Sequence, residues 1–252
     1  MKPFIKDLRR ATLKGAGMTS FDVLTVGERV GILGDRRYGI KRKPASTPDE
    51  WGPKGKFYVA MNTPVMPAEH PVYNTGLAGP DGMSQLDFDY LTELATRIGV
   101  EGPLAVLDTK GKFNLTDDKE PYVSFLNLAS VQALDEWLGH EINPARFRMN
   151  VWLGDLDPFA ELMWVNGYPG TYEFQLGEVR FRVEDVCERC RATEANPETG
   201  VYDLPILAAL EKMMKERGYA GSPKRKKFEV MGVLARPLNS GKIKKGDSLT
   251  FL

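Results

Sequence analysis

The chain has 252 residues, 42% of them hydrophobic, and its 34 basic residues are balanced by 34 acidic ones for a formal net charge of zero. That composition can bury a large core, and the charge balance argues against nucleic acid or an anionic membrane as the principal partner. No apolar run approaches the roughly 20 residues that cross a bilayer, and Met1 to Asp7 lacks a signal-peptide core, so the sequence reads as a cytoplasmic globular protein.

In chain order, an apolar strand signal over Phe21–Val30 comes first. Between Ile40 and Tyr90 follows a stretch dense in Pro and Gly, including Lys41-Arg42-Lys43-Pro44 and Thr63-Pro64-Val65-Met66-Pro67. A strand-like piece, Lys56–Met61, sits inside it, so it reads as an excursion from one body and not a linker. Leu91, Leu94, Ala95 and Ile98 then form a helical stripe ending at Gly99. Strand signals at Leu104–Leu107 and Tyr122–Leu128 precede a helix over Val131–Leu138 that stops at Gly139. Arg148–Leu153 is the next strand, and Asp157-Pro158 opens a short helix carrying Glu161. Thr171–Leu176 and Glu178–Val186 are strands, the second with Val179, Phe181 and Val183 alternating with Arg180, Arg182 and Glu184. Asp203 is the expected cap of a helix with Pro205 in its first turn, a stripe of Leu207, Leu210, Met213 and Met214, and Gly218 at its end. Lys224-Arg225-Lys226-Lys227 reads as a charged loop tip, and Phe228–Leu234 and Ser248–Leu252 complete the set. Many short strands with long connections predict a mainly β chain with peripheral helices, a barrel more than a sandwich.

Both cysteines lie in Val186-Cys187-Glu188-Arg189-Cys190-Arg191-Ala192-Thr193, followed by the turn signal Asn196-Pro197-Glu198-Thr199-Gly200. A C-x-x-C pair can be half a zinc site, a dithiol redox pair or two small core residues. Zinc lacks its other ligands here, because there is no second pair and His70 and His140 are distant in sequence. A redox pair would open a helix, whereas this one runs toward a turn. The flanking Arg189 and Arg191 argue against burial and supply the positive charge a thiolate needs, which makes Cys190 a candidate soft ligand or nucleophile.

The string Arg189-Cys190-x-Ala192-Thr193-x-x-Asn196-Pro197-x-Thr199-Gly200 resembles the signature of MOSC domains, the module shared by molybdenum cofactor sulfurases and the mitochondrial amidoxime-reducing component. Leu13-Lys14-Gly15, Gly34-Asp35-Arg36-Arg37-Tyr38-Gly39-Ile40, Arg146-Phe147-Arg148-Met149-Asn150-Val151-Trp152 and Pro158-Phe159-Ala160-Glu161 agree with it in the expected order, and Gly241 to Leu249 resembles the family's closing hairpin. The resemblance runs from about residue 9 to the end. It implies a pyruvate-kinase-like β-barrel in a single unit over residues 1–252, with 1–100 an N-terminal barrel portion plus the excursion and 101–252 the core region. It also implies that Cys190 ligates molybdenum and that Lys14, Arg36, Arg148 and Asn150 hold the pterin and its phosphate. Gly15 and Glu188 depart from the amidoxime-reducing members, which carry serine there.

Read physically, molybdopterin presents a dithiolene, a phosphate and a pterin edge, and a thiolate, several cations and a planar amide suit it. Cys190, Lys14, Arg36, Arg148, Arg189 and Asn150 are that set. The implied activity is reduction of N-oxygenated small molecules such as hydroxylamines. Two cysteines cannot build a four-cysteine iron–sulfur cluster and no G-x-G-x-x-G follows a strand, so a separate electron-donor protein or reductase is expected. The rival readings are a sulfur or cofactor carrier using a Cys190 persulfide and a cofactor-free interaction module. The pyridoxal phosphate associated with the family belongs to a sulfurase domain for which this chain is too short.

Overall fold

The computed structural model describes residues 2–43, 50–71, 73–78, 84–165 and 172–252. Five strands open the chain: β1 (Phe4–Arg10), β2 (Thr19–Phe21), β3 (Val23–Gly27), β4 (Gly31–Ile32) and β5 (Tyr38–Ile40). The hairpin β6 (Tyr73–Ala78) and β7 (Ser84–Leu86) leads into helix α1 (Phe88–Arg97), which the Asp87 side chain caps by accepting from the Tyr90 amide. Next come β8 (Val106–Asp108), β9 (Val123–Asn127), α2 (Leu128–Leu138), β10 (Val151–Gly154), β11 (Glu173–Leu176) and β12 (Val179–Glu188). Helix α3 (Ile206–Glu216) and strands β13 (Val230–Pro237), β14 (Gly241–Lys244) and β15 (Leu249–Phe251) end the chain.

Eight strands form one sheet in the order β15-β11-β12-β13-β9-β10-β1-β2. The pairing is antiparallel except between β9 and β10, and that parallel pair needs a crossover, which α2 supplies. The sheet curls into a half-barrel, and backbone bonds from Leu249 N to Pro3 O (2.7 Å) and from Ile5 N to Asp247 O (2.9 Å) tie the edge strand β15 and the residues before it to the start of β1, on the far side of the sheet. Inside the curl Phe125, Phe174 and Phe181 are fully buried and meet at ring separations of 5.2–5.4 Å. Edge-to-face and stacked contacts of this kind add to the area term that drives the core together. Smaller pairs, β3 with β4 and β14, and β5 with β8, stand beside the main sheet.

The strand alternation read over Val179–Val183 is real, and beyond it β12 carries register shifts at Val183/Asp185 and Val186/Glu188. Bulges re-aim side chains. Here Asp185, Val186, Cys187 and Glu188 all come to line the cleft described below, Val186 while staying buried.

The structure corrects three expectations. Lys56–Met61 is not a strand: Lys54–Lys56 is a 3₁₀ turn, and only Phe57 makes a β-bridge, to Lys41. Asn62 explains why, since its side chain accepts from Val59 N (3.0 Å) and donates to Phe57 O (3.0 Å), taking groups a ladder would have used. Asp203 does not cap α3, whose N-cap position is Pro205; its carboxylate is bound by Arg146 and Asn196. Phe21–Val30 is two strands, β2 and β3, and the chain also forms β1, which gives no alternating signal. There a register shift between Ile5 and Asp7 puts the buried residues Ile5 and Leu8 three apart. Pro44 and Thr171 of the predicted segments lie outside the described residues.

The excursion is a strap over one face of the body. Phe57 and Val59 bury against Leu107 and Leu115, and Met66 packs with Leu13, Tyr38 and Leu94. No helix among the described residues is long and apolar enough to cross a membrane.

Candidate functional site

A cleft of about 440 Å³ opens between the half-barrel and the strap, and Lys14, Arg36, Arg148, Asn150, Arg189 and Cys190 all line it. Residues separated by up to 176 positions are therefore brought to one place.

Lys14 follows a bridge between Leu13 and Tyr38 that pins its backbone. Its ammonium is 2% exposed and donates to Leu115 O (2.6 Å), Thr116 O (3.2 Å) and Asp117 Oδ1 (3.0 Å). Burial lowers its pKa, and Asp117 opposes the shift. Asp117 in turn has its carboxyl held well below the usual range: burial alone would raise it, and Lys14 and Lys54 outweigh that.

Arg36 and Arg148 both sit in the left-handed backbone region, at φ 47° and 53°. Such conformations cost on the order of 1 kcal/mol each and persist where the surroundings impose them. Arg36 is gripped by Asp35 and donates to Arg148 O at 3.0 Å, so the two loops are tied together. Arg148 donates to Ala16 O, and no described carboxylate lies within ion-pair distance of it. Burial, reinforced by Arg36 beside it, pushes its pKa down to about 9. An arginine that burial works to neutralise is one that an incoming anion stabilises.

Asn150 serves the same corner from behind. Its amide donates to Arg9 O (3.1 Å) and Asp35 Oδ2 (3.1 Å) and accepts from the Ser124 hydroxyl (2.8 Å). With those bonds made inside the protein, its direct action is to hold Asp35, and through Asp35 the Arg36 guanidinium.

The charge expected at Cys190 comes from a different residue. Arg189 turns back to donate to Cys187 Sγ (2.7 Å), Met149 Sδ (3.3 Å) and Phe147 O (2.5 Å), leaving its Nε buried without a partner. Arg191 lies flat on Tyr202, 4.0 Å from the ring centroid. The cation beside Cys190 is Lys54 of the strap: burial lowers its pKa, but Asp117 and Cys190 together raise it. Cys187 has its thiol pushed up by burial, with Arg189 only partly opposing. Both cysteines are half-buried and free. Among the described residues no three His, Cys, Asp or Glu side chains are grouped to hold a metal ion, so a zinc site made of protein ligands alone is not formed.

The two departures from the family pattern have local causes. Gly15 has φ +93°, and a Cβ there would meet Val59 Cα at 2.9 Å and Tyr58 O at 3.0 Å, so serine is excluded by the strap. Glu188 is turned to the rim, where it accepts from Ser222 Oγ (2.7 Å) and pairs with Arg225 (3.4 Å). The turn after Cys190 is structural: Asn196 Oδ1 accepts from Glu198 N (2.9 Å), and Gly200 packs on Val65 of the strap. Tyr202 completes that clamp by donating to Ala60 O (2.9 Å) and Met61 O (3.0 Å). Sequence reasoning missed Lys54 and Asp117. Neither sits in a motif, and only the strap and the loop after β8, 63 positions apart, bring them together.

The MOSC domain profile matches residues 110–250, more than half of the chain. No curated protein sequence matches. Among solved structures, the YuaD protein from Bacillus subtilis is similar over 99% of this chain and 94% of its own, at 12% identity and a TM-score of 0.45. YiiM from Geobacillus stearothermophilus (16% identity, TM-score 0.34) and YiiM from Escherichia coli (15%, 0.33) are each similar over 52% of this chain and 53% of their own.

Proposed function

We propose that this chain, which belongs to the MOSC-domain family, binds molybdenum cofactor with Cys190 as the protein ligand and reduces N-oxygenated small molecules. The family is associated with that cofactor, and the residues at the cleft fit it. The observation that carries the reading is Arg148, a partly buried cation with no described carboxylate partner, in the same cleft as a half-buried free thiol. A cofactor that joins a phosphate to a sulfur-ligated metal satisfies both at once.

In this reading Arg36 and Arg148 hold the phosphate, with Asp35 and Asn150 fixing the direction of Arg36. Lys14 adds charge from beneath and is kept in place by two carbonyls and Asp117. Arg189, folded over Cys187 and Met149, walls the sulfur side of the cleft. Bound there, the cofactor supplies a two-electron couple that accepts oxygen from nitrogen. For a hydroxylamine the balance is R–NHOH + 2H⁺ + 2e⁻ → R–NH₂ + H₂O, the electrons arriving from a separate donor in a reducing, cytoplasmic setting. The neutralisation of Glu188 by Arg225 keeps its charge away from an anionic cofactor, which weighs against the cofactor-free alternative.

The test is molybdenum and pterin content in protein purified from a host that makes the cofactor. Cys190→Ser should lose molybdenum, since a hydroxyl is a hard, protonated donor, while Cys187→Ser should keep most of it. Equal loss from both changes, or a wild-type protein that carries no molybdenum, would overturn the proposal.

A further inference from the structure

Lys54 belongs to no recognised motif, yet the strap places it on the wall of the same cleft that Cys190 lines. The strap is not loosely placed. Gly15 leaves room for Val59, Gly200 leaves room for Val65, and Tyr202 holds the carbonyls of Ala60 and Met61. These contacts fix the segment that follows the Lys54–Lys56 turn.

The other cations of the cleft are occupied. Lys14 is spent on two carbonyls and Asp117, Arg36 on Asp35, Arg189 on sulfur and a carbonyl, and Lys224 and Arg225 on Asp185 and Glu188 at the rim. Arg148 donates to Ala16 O and lies on the side assigned above to phosphate. Lys54 is different. Its side chain remains 34% exposed, and its one carboxylate contact, Asp117 Oδ2 at 3.5 Å, is to a group that Lys14 already holds at 3.0 Å. One negative charge is thus shared between two ammonium groups, which leaves positive charge in the cleft that Lys54 and Cys190 both line.

We infer that Lys54 is a specificity residue that draws a negatively charged oxygen of the substrate to the Cys190 side of the cleft. This rests on the function proposed above and deepens it, because it selects among N-oxygenated compounds: those whose oxygen carries full negative charge, such as N-oxides, over neutral N-hydroxyl compounds. A hydrogen bond from an ammonium to a charged oxygen is roughly twice as strong as one between neutral groups, which supplies the discrimination.

The test is read on cofactor-free protein, so it decides the role of Lys54 whether or not molybdenum is found. In a Cys187→Ser background, Cys190 is alkylated with iodoacetate, which is anionic, and with iodoacetamide, which is neutral. In both cases the Cys190 sulfur forms the new C–S bond and iodide leaves. The ratio of the two rates cancels the thiolate fraction and reports only how the site treats charge. Lys54→Met should lower that ratio roughly five-fold, the size of one unit charge acting at close range in a wet cleft, and Lys54→Arg should restore most of it. An unchanged ratio in Lys54→Met would overturn the inference. With cofactor loaded and reduced viologen as donor, Lys54→Met should raise KM for pyridine N-oxide and leave KM for benzamidoxime and the molybdenum content unchanged. Loss of molybdenum instead would place Lys54 in cofactor retention and equally overturn the assignment.

Discussion

On the inner wall of the cleft Lys14 is buried and Arg148 partly so, Arg36 is pinned between Asp35 and a carbonyl, and Asn150 holds that arrangement from behind with every bond made inside the protein. On the outer wall Lys54 is partly exposed and shares its only described carboxylate with another lysine. On the first wall the polar groups are held by backbone carbonyls and the buried Asp35 carboxylate. The second is held by the buried Phe57, Val59 and Met66, by glycine close-packing and by one tyrosine, which fix the path of the chain but leave the Lys54 side chain partly exposed. A site can in this way separate retention from selection: desolvated groups set how firmly an anion is kept, and solvated ones set what is admitted.

The sharpest way to break this comparison uses two arginines on the inner wall that lie two residues apart. Arg146 is paired with Asp203 through both terminal nitrogens (2.7 and 2.8 Å), whereas Arg148 has no described carboxylate. Arg148→Ala should leave thermal stability unchanged or slightly improved, because it removes a partly desolvated charge with no described carboxylate beside it, and should cut molybdenum per folded protein more than ten-fold, the loss of about 1.4 kcal/mol or more of phosphate binding. Arg146→Ala should do the reverse, costing about 2–4 kcal/mol in chemical denaturation while cofactor content follows the folded fraction. A stability loss in Arg148→Ala equal to that in Arg146→Ala would erase the distinction between the two.

Behind the inner wall, Glu161 gives a pH signature. Its carboxyl is fully buried and accepts from Asn127 Nδ2 (2.9 Å) and the Ser130 hydroxyl (3.0 Å). Burial pushes its pKa up from 4.5 to about 7, and the hydrogen bonds only partly oppose that. The folded state therefore binds this proton more tightly than the unfolded state, so the contribution is fully present below pH 4.5 and is lost as pH rises through about 7. Unfolding free energy measured by urea should fall by about 3 kcal/mol across that window from this group. In Glu161→Gln the fall should be absent, and an identical pH profile in the variant would remove Glu161 as its source.

The outer wall is probed by its glycines. Gly200 has φ +70°, and a Cβ there would stand 2.6 Å from Val65 Cα. Gly200→Ala should cost about 1–3 kcal/mol from left-handed strain and the displaced strap. If the strap carries Lys54 to Cys190, the same change should also lower the iodoacetate preference of Cys190. A normal preference in a strap-displaced protein would separate the strap from the position of Lys54.

What could be read in the sequence followed from local rules. The apolar stripes of α1 and α2, with their terminal glycines at Gly99 and Gly139, lie where their periodicity placed them, because a helix end and its cap are properties of a few consecutive residues. The alternation of Val179, Phe181 and Val183 marked β12 for the same reason. β1 escaped notice because its bulge breaks the period-two pattern, and Lys56–Met61 misled because its apolar residues are buried by a strap whose backbone bonds go to Asn62. Asp203 looked like a cap by its position before Pro205, but the partner that claims it, Arg146, is 57 residues away.

The residue types of the cleft were likewise legible: a cysteine, four basic residues and an amide in motifs spread from Lys14 to Cys190, all of which line one cavity. Which charge meets which group was not. Sequence adjacency suggested Arg189 and Arg191 as the neighbours of the Cys190 sulfur, yet a bulged strand and a following 3₁₀ turn send those side chains to Cys187 and Tyr202. The cation at Cys190 comes from 136 residues upstream, and its carboxylate partner Asp117 from another loop. Composition and motif are sums over residues and survive unfolding. Electrostatic partnership depends on distances of a few ångströms, and only the folded path of the strap across the half-barrel sets those.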